Sequence, residues 1–194
     1  MADDALLATL GIDLATDHHL PEVRTECVRV AQRIHATGAR AIGFVPSGVD
    51  VAVPPVVIQI GAALCDLTGA TIAVVDANVR YPGLSTISAD ADPSIVFSTR
   101  WLAGSLALLT PTKVERAGEV VPSLARLLID GGDLFAHMLC DLTGFELIGE
   151  HASAAACMDT VVLVGRANAT HEDSLLALSE ILPADRFLGV LLVG

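Results

Sequence analysis

Three segments that follow apolar runs contain the residue types from which a ligand site can be built. The first, Pro46-Ser-Gly-Val-Asp-Val-Ala-Val-Pro-Pro55, joins the apolar run 41–45 to a predicted helix over 56–67. The second is Val74-Val-Asp-Ala-Asn-Val-Arg-Tyr-Pro82, and the third is Leu127-Leu-Ile-Asp-Gly-Gly-Asp133. Ligands of open parallel sheets bind at the carboxyl ends of the strands, so the three segments predict one shared site.

The first segment lies where phosphate-binding α/β proteins have a glycine-rich loop, a lysine and a Ser or Thr. Such a loop directs backbone N–H groups at phosphate oxygens from the N-terminus of a helix. Here Ser47 and Gly48 are followed by no lysine, and Asp50 adds a negative charge close to the phosphate position. Pro54 and Pro55 have no N–H to donate. The segment therefore has the position of a phosphate loop without its binding groups.

The elements that must position these segments alternate along the chain. Apolar runs predict strands at 41–45, 70–75, 94–98, 106–109, 126–129, 160–164 and 187–193. Near-continuous apolar strands separated by helices are typical of a parallel sheet that is buried on both faces. We predict an α/β fold of three layers, with a mainly parallel central sheet flanked by helices. Residues 1–19 form an acidic N-terminal segment, and residues 20–194 are expected to form a single domain.

Composition excludes several classes of function. The chain has 194 residues and a net charge of −12, with only 11 Lys and Arg and no basic cluster. This balance argues against nucleic-acid binding and against direct attachment to an anionic membrane. No apolar run reaches the roughly 18 residues of a membrane span, and the N-terminus lacks a basic leader region. We therefore expect a cytoplasmic protein without direct membrane insertion.

The cysteines and histidines predict no metal site. The four cysteines form no Cys-x-x-Cys pair, and the six histidines are scattered apart from His18-His19. Adjacent residues on a helix do not face one another, so this pair is a poor metal site. No Gly-x-Ser-x-Gly elbow is present, and Ser47 has no placed histidine partner. We predict neither a catalytic residue nor a metal ligand.

Taken in order, the segments resemble the motifs of P-loop ATPases of the ParA/MinD type. The chain looks most similar to their bacterial tyrosine kinase branch, which is associated with polysaccharide export. Val75-Asp-Ala-Asn-Val-Arg-Tyr-Pro82 is similar to the family's "IDADxRxP" motif, and Ile129-Asp-Gly-Gly to the aspartate core of "IIDxPP". Cys157–Val164 and Leu188–Val193 resemble two later strands. The resemblance covers residues from about 20 to the end and implies a P-loop NTPase-like fold.

The resemblance also assigns the acidic positions. Asp76 falls where the family helps to hold Mg²⁺ and to orient the attacking group, and Asn78 replaces the second acid of that motif. Asp130 falls at the Walker B aspartate, which holds Mg²⁺ through water. A purely structural interpretation remains open for both aspartates, because Asp commonly caps turns at strand ends.

On the phosphate side, the resemblance identifies the missing groups. Counted back from Gln59, which fits an asparagine of the family, Val53 occupies the lysine position. Pro54 occupies the position of the Mg²⁺-binding Ser or Thr. Each loss is worth a few kcal/mol, by analogy with single oxyanion donors. We therefore expect ATP and Mg²⁺ binding, ATP hydrolysis and phosphoryl transfer to be lost.

A possible interface lies on the helix before the first strand. The related kinases have a Glu-x-x-Arg pattern there that helps to build rings, and Glu26-Cys-Val-Arg29 has that spacing. An ordinary intrahelical pair explains the same spacing. Arg80 is a second candidate for a partner contact, although pairing with Asp76 or exposure to solvent fits it equally. With Tyr81 as its single tyrosine, the chain has no tyrosine-rich tail to phosphorylate.

These patterns together predict a non-catalytic pseudo-NTPase or pseudokinase. It would act as a scaffold or regulatory subunit in polysaccharide synthesis or export, without a cofactor. Its expected partners are proteins: a second copy, an active paralogue, or the cytoplasmic tail of a membrane protein at the inner face of the membrane. Two alternatives remain, namely a positioning or polarity factor of the ParA/MinD type, and an active ATPase or tyrosine kinase with an unusual loop.

Overall fold

The computed structural model describes residues 21–82, 84, 96–112 and 116–194. The strands are β1 (Ala41–Pro46), β2 (Ile72–Asp76), β3 (Phe97–Ala103), β4 (Leu106–Pro111), β5 (His137–Asp141), β6 (Thr160–Arg166) and β7 (Phe187–Val193). The α-helices are α1 (Pro21–Thr37), α2 (Val53–Thr68), α3 (Val120–Asp130), α4 (His151–Ala156) and α5 (Glu172–Ile181). The expected acidic segment at 1–19 lies outside the described residues.

The strands form one seven-stranded sheet in the order β3-β4-β2-β5-β1-β6-β7. Neighbouring strands run parallel except β3, which is antiparallel to β4. Strands β1, β2 and β4 are buried along their whole length, as expected for strands covered on both faces. The prediction of a mainly parallel central sheet is confirmed.

Two apolar cores lie on opposite faces of this sheet. On one face, α1 and α2 pack through residues that include Ile34, Val57 and Leu64. On the other face, α3, α4 and α5 contribute residues that include Leu124, Ala155 and Leu178. This arrangement confirms the three-layer fold. No helix in the described ranges combines the length and the apolar composition that a bilayer span requires.

The strand predicted at 126–129 is wrong. These residues belong to α3, whose buried residues Val120, Leu124 and Leu128 recur every four positions, as on one face of a helix. The strand of this region is β5, which lies between β1 and β2. In the sequence, β5 gives a weaker apolar signal than the Leu-Leu-Ile of α3, because its five residues begin with a histidine and end with an aspartate. Residues 94 and 95 of another predicted strand lie outside the described residues.

Gly61 allows α2 to lie close to the sheet. A Cβ atom at this position would stand 2.9 Å from Leu106 Cδ1 and 3.2 Å from Val74 Cγ2, two side chains of the fully buried core. Distances this short leave no room for a larger side chain in a close-packed interior. The apolar helix therefore approaches β2 and β4 only because residue 61 has no side chain.

We predict that Gly61→Leu lowers the free energy of unfolding by about 1–3 kcal/mol, because it overpacks the core. For a chain of this length the melting temperature should fall by roughly 2–4 °C per kcal/mol, which differential scanning calorimetry can measure. Gly118→Leu is the matched control, since nothing lies within 4 Å of a Cβ at that position. Equal melting temperatures for the two variants would contradict the proposed close approach.

Candidate functional site

The carboxyl ends of β2 and β5 bring two buried aspartates together. Asp76 ends β2 and Asp141 ends β5, and the two residues are direct partners in the parallel register. Their relative exposures are 3% and 2%. The backbone N–H of Ala77 donates to Asp141 O at 3.2 Å, so the pairing continues past the strand ends. The site at this edge therefore centres on a pair of carboxyl groups shielded from water.

The carboxyl group of Asp141 has a raised pKa. Burial raises the pKa of its carboxyl group to about 6, and the nearby Glu146 acts in the same direction. Two hydrogen bonds to Oδ1 from Thr143 oppose this rise in pKa: the backbone N–H at 2.9 Å and the hydroxyl at 2.5 Å. Ionised Asp141 is thus stabilised by local donors but remains costly to bury.

Asn78 connects the segment after β2 to the segment after β5. Its Oδ1 accepts hydrogen bonds from the backbone N–H groups of Arg80 and Tyr81, at 2.9 and 3.0 Å. Its Nδ2 donates to the carbonyl oxygen of Thr143 at 3.3 Å. An aspartate could not make this last bond because a carboxylate has no N–H. The amide at the position of the motif's second acid therefore has a structural role that an acid cannot fill.

Asp76 is held by the chain that follows the same motif. Its Oδ2 accepts a hydrogen bond of 2.7 Å from the backbone N–H of Leu84. The guanidinium carbon of Arg80 lies 5.7 Å from the ring centroid of Tyr81, which is within cation–π range. The chain just after the segment 74–82 thus returns to Asp76.

Asp130 is not part of this site, which corrects its assignment to the third motif. It is the last residue of α3, it is exposed, and its carboxylate lies 3.6 Å from Arg126 on the same helix. Because α3 leads into β5, the C-terminal end of α3 lies near the amino ends of the strands. Asp76 lies at the opposite, carboxyl end of the sheet. The strand-end position of the third segment belongs to Asp141, which sequence analysis missed. The run Met-Leu-Cys-Asp, an aspartate after apolar residues, was the available signal.

The loop after β1 is attached to β6 and to the segment before α5. The N–H of Ser47 donates to Val164 O at 2.8 Å, and the Ser47 hydroxyl lies 3.1 Å from the Thr170 hydroxyl. Asp50 and Arg166 form an ion pair of 3.9 Å between two side chains that are more than half exposed. An exposed pair of this kind contributes little to stability. Ser47, Gly48 and Asp50 thus lie together at the edge of the sheet that holds the aspartates.

The backbone of this loop does not have the curvature of an anion-binding nest. Such nests combine right-handed and left-handed residues so that successive N–H groups converge. In the loop 47–52, which the structure describes throughout, no residue has a positive φ. One turn is closed by the Val51 N–H, which donates to Gly48 O at 3.2 Å. That donor is therefore engaged within the loop.

Helix α2 begins at Val53, directly after Ala52, whose side chain makes no cap hydrogen bond. Val53 at the first helical position is fully buried in the core of the α1 and α2 face. Pro54 and Pro55 follow at the second and third positions and carry no backbone N–H. The end of the helix that would face a phosphate is thus built from an inward-facing apolar residue and two prolines.

The Glu26–Arg29 interface candidate lies on α1, whereas Arg80 follows β2. Arg29 Nη1 donates to both carboxylate oxygens of Glu26, at 2.9 and 3.1 Å, on the exposed surface of α1. This is the intrahelical pair that the spacing allows, and it leaves both side chains on the surface. The structure therefore places Glu26 and Arg29 away from the strand ends that hold Asp76 and Asp141.

The comparisons with known proteins identify the fold. No protein-family profile matches the chain, and no curated protein matches it in sequence. Among solved structures, the chimerical protein CapA2B2 aligns with a TM-score of 0.73 and 13% identity over 98% of this chain and 97% of that chain. The BceF tyrosine kinase domain aligns with a TM-score of 0.70 and 17% identity over 97% of this chain and 81% of that chain.

A ParA family ATPase from Chlorobium tepidum aligns less closely. Its TM-score is 0.53 and its identity 15%, over 79% of this chain and 73% of that chain. Identities this low are evidence of shared architecture rather than of shared chemistry. The chain therefore has a P-loop fold of the ParA/MinD type, close to the form found in bacterial tyrosine kinase domains.

Proposed function

We propose that the protein is a non-catalytic relative of these ATPases and kinases, and that it acts as a scaffold or regulatory subunit. The observation that carries the proposal is the first turn of α2. There Val53 is buried, and Pro54 and Pro55 carry no N–H groups. A phosphate bound at this helix end would lack both the donors and the cation that normally hold it.

The size of the loss supports this proposal. Removing one donor from a preorganised anion site lowers the rate by about 10²–10³-fold, or roughly 3–4 kcal/mol. Two prolines remove two donors, and Val53 stands where the resemblance requires a lysine. The loop 47–52 has no residue with a positive φ with which to build a replacement nest. ATP with Mg²⁺ therefore does not fit the phosphate side of this site.

The fold suggests how such a subunit would work. The BceF structure is a tyrosine kinase domain, and this chain covers most of its length. A protein with the same fold and no catalysis can occupy a position in an assembly of active paralogues, or bind the cytoplasmic tail of a membrane protein. We place it in polysaccharide synthesis or export, at the inner face of the membrane, on the motif resemblance of the segment 75–82.

One observation favours the alternative of an active ATPase or kinase. Asp76 and Asp141 remain paired at adjacent strand ends, and both are almost fully buried. Two carboxylates in such a position are suited to a divalent cation, because oxygen ligands are those that Mg²⁺ prefers. The structural role of each side chain, in bonds to Leu84 and Thr143, accounts for their presence without a cation. A positioning factor of the ParA/MinD type is the other alternative, favoured by the likeness to the ParA family ATPase.

Thermal unfolding with nucleotide separates these functions. We expect 1 mM ATP with Mg²⁺ to shift the melting temperature by less than about 1 °C. A ligand present at 100 times its Kd stabilises a protein by about 2.7 kcal/mol. For a chain of this length that would be roughly 5–10 °C. A shift of several degrees would overturn the proposal, and a tyrosine kinase domain of the same fold serves as the positive control.

Restoring the lysine alone should not restore ATP binding. In Val53→Lys the missing charge returns, but Pro54 and Pro55 still remove two backbone donors. The new ammonium group also starts from a fully buried position, which lowers stability. Val53→Met is the matched control for side-chain length. Nucleotide titration by calorimetry should give no binding heat for either variant, and ATP binding by Val53→Lys would contradict the role of the prolines.

Asp141 predicts a specific pH dependence of stability. Because its pKa is about 6 in the folded state and about 3.9 in an unfolded chain, the folded state holds its proton more tightly. Stability contributed by this group is therefore present below about pH 4 and is lost as the pH rises through about 6. The loss amounts to about 2–3 kcal/mol at neutral pH.

Asp141→Asn should remove this dependence, since the amide oxygen can still accept from Thr143 but cannot ionise. Between pH 4.5 and pH 7.5 the wild type loses about 2 kcal/mol from this group, so the variant should gain roughly 4–8 °C in melting temperature relative to it. Asp130→Asn, at an exposed carboxylate, should follow the wild-type curve. If the melting temperatures of Asp141→Asn and the wild type change equally with pH across this range, burial does not raise the pKa of Asp141 as described.

A further inference from the structure

Two histidines contact each other at the amino ends of the strands, at the opposite end of the sheet from Asp76 and Asp141. His137 is the first residue of β5 and is only 6% exposed. His35 lies in the last turn of α1, on the surface of the helix that covers this face. The two imidazole rings have an interplanar angle of 81° and centroids 5.7 Å apart. No part of the proposed function involves this pair.

The hydrogen bond of His137 to the backbone determines which ring nitrogen is available. Its Nδ1 lies 2.7 Å from the carbonyl oxygen of Ala39. A carbonyl only accepts, so Nδ1 carries a hydrogen, and in the neutral ring Nε2 then presents its lone pair. That lone pair faces Nδ1 of His35, 3.5 Å away. Histidines that bind metals are commonly oriented by such a bond from the other ring nitrogen to a carbonyl.

The distance between the two facing nitrogens distinguishes a metal site from a hydrogen bond. The contact is long for a hydrogen bond, since N–H···O bonds in proteins span about 2.7–3.2 Å. Two Zn–N bonds of about 2.0–2.1 Å at a tetrahedral angle hold their nitrogens about 3.4 Å apart. The observed 3.5 Å is closer to the second geometry. Rotation of the exposed His35 ring, whose terminal torsion is soft, can bring both lone pairs onto one ion.

We propose that His35 Nδ1 and His137 Nε2 bind a Zn²⁺ ion, with water in the two remaining positions of a tetrahedron. Imidazole nitrogen is a preferred ligand for Zn²⁺, and the separation of the two facing nitrogens is close to that of two ligands in a tetrahedral zinc site. The described residues contain no group of three or more His, Cys, Asp and Glu side chains suited to a metal. The site therefore has two protein ligands, so its ion is exchangeable rather than permanent. The net charge of −12 favours accumulation of a cation near the protein.

Zinc bound here would join the last turn of α1 to the start of β5. These elements are separated by 102 residues at the two histidines. The ion would also require both imidazoles to be neutral, so acid would release it. Since the site lies at the opposite end of the sheet from Asp76 and Asp141, zinc binding and nucleotide binding are independent properties and can fail separately.

The test is a calorimetric titration of the full, untagged chain with ZnCl₂ in a buffer that does not bind zinc. All proteins carry His18→Ala and His19→Ala, so that this adjacent pair cannot contribute. We expect one Zn²⁺ per chain, and a loss of more than about tenfold in affinity for His35→Ala. Loss of an outer-shell partner alone costs 10–100-fold, so loss of a ligand should cost at least as much.

His137→Asn separates ligation from folding. The asparagine Nδ2 can replace Nδ1 as donor to Ala39 O, while the lone pair of Nε2 is absent. Its melting temperature without metal should therefore stay within a few degrees of the background, while its zinc affinity falls as in His35→Ala. His171→Ala, at an exposed histidine elsewhere, should bind zinc like the background.

Absence of binding at 1 mM ZnCl₂ would overturn the proposal and leave a long hydrogen bond between the rings. The proposal would also fail if His35→Ala and His137→Asn bound zinc with the same affinity as the background protein, because the ion would then lie elsewhere. If His137→Asn proves unfolded, the comparison of His35→Ala with His171→Ala decides the question, since both positions are exposed.

Discussion

The parallel register of β5 between β1 and β2 is the constraint on which the site depends. It places Asp141 directly beside Asp76 at one edge of the sheet. Past the strand ends the pairing continues, with the N–H of Leu142 donating to Phe44 O at 3.0 Å. In a parallel ladder a shift by one residue would turn every side chain of β5 to the opposite face. In the observed register Leu139 and Met138 are buried in the two opposite cores.

The same register explains why the two edges of the sheet differ in chemistry. At the carboxyl edge, polar groups are held by local turns: Asn78 organises the chain after β2, and Thr143 hydroxyl and amide groups hold Asp141. At the amino edge, Asp159 Oδ2 accepts from the N–H groups of Arg40 and Ala41, at 2.9 and 2.8 Å, and so fixes the start of β1. His137 begins β5 beside this start.

The loop after β1 and the first turn of α2 contribute apolar side chains to the core. Val51 and Val53 are buried and belong to the core of the α1 and α2 face. Residues at these positions therefore stabilise the layer beneath them instead of facing a ligand. Prolines in the first turn of a helix are compatible with helical geometry, since the N–H groups they lack have no partner within the helix. The helix thus forms with no backbone N–H at its second and third positions.

The sequence by itself determined the fold class, because the spacing of apolar residues follows from which faces of each element are buried. It also singled out the segments 46–55 and 75–82, where prolines, aspartate and asparagine stand out against apolar neighbours. It placed the start of α2 too late, because Val53, Pro54 and Pro55 already belong to the helix. It did not locate Asp141, since β5 is short and its strand character depends on pairing with β1 and β2. Only the tertiary structure decided that Asp130 is remote from Asp76, and that Asn78 bonds to Thr143. The pair of His35 and His137 likewise arises from packing, because contacts between residues 102 positions apart leave no periodic signal in the chain.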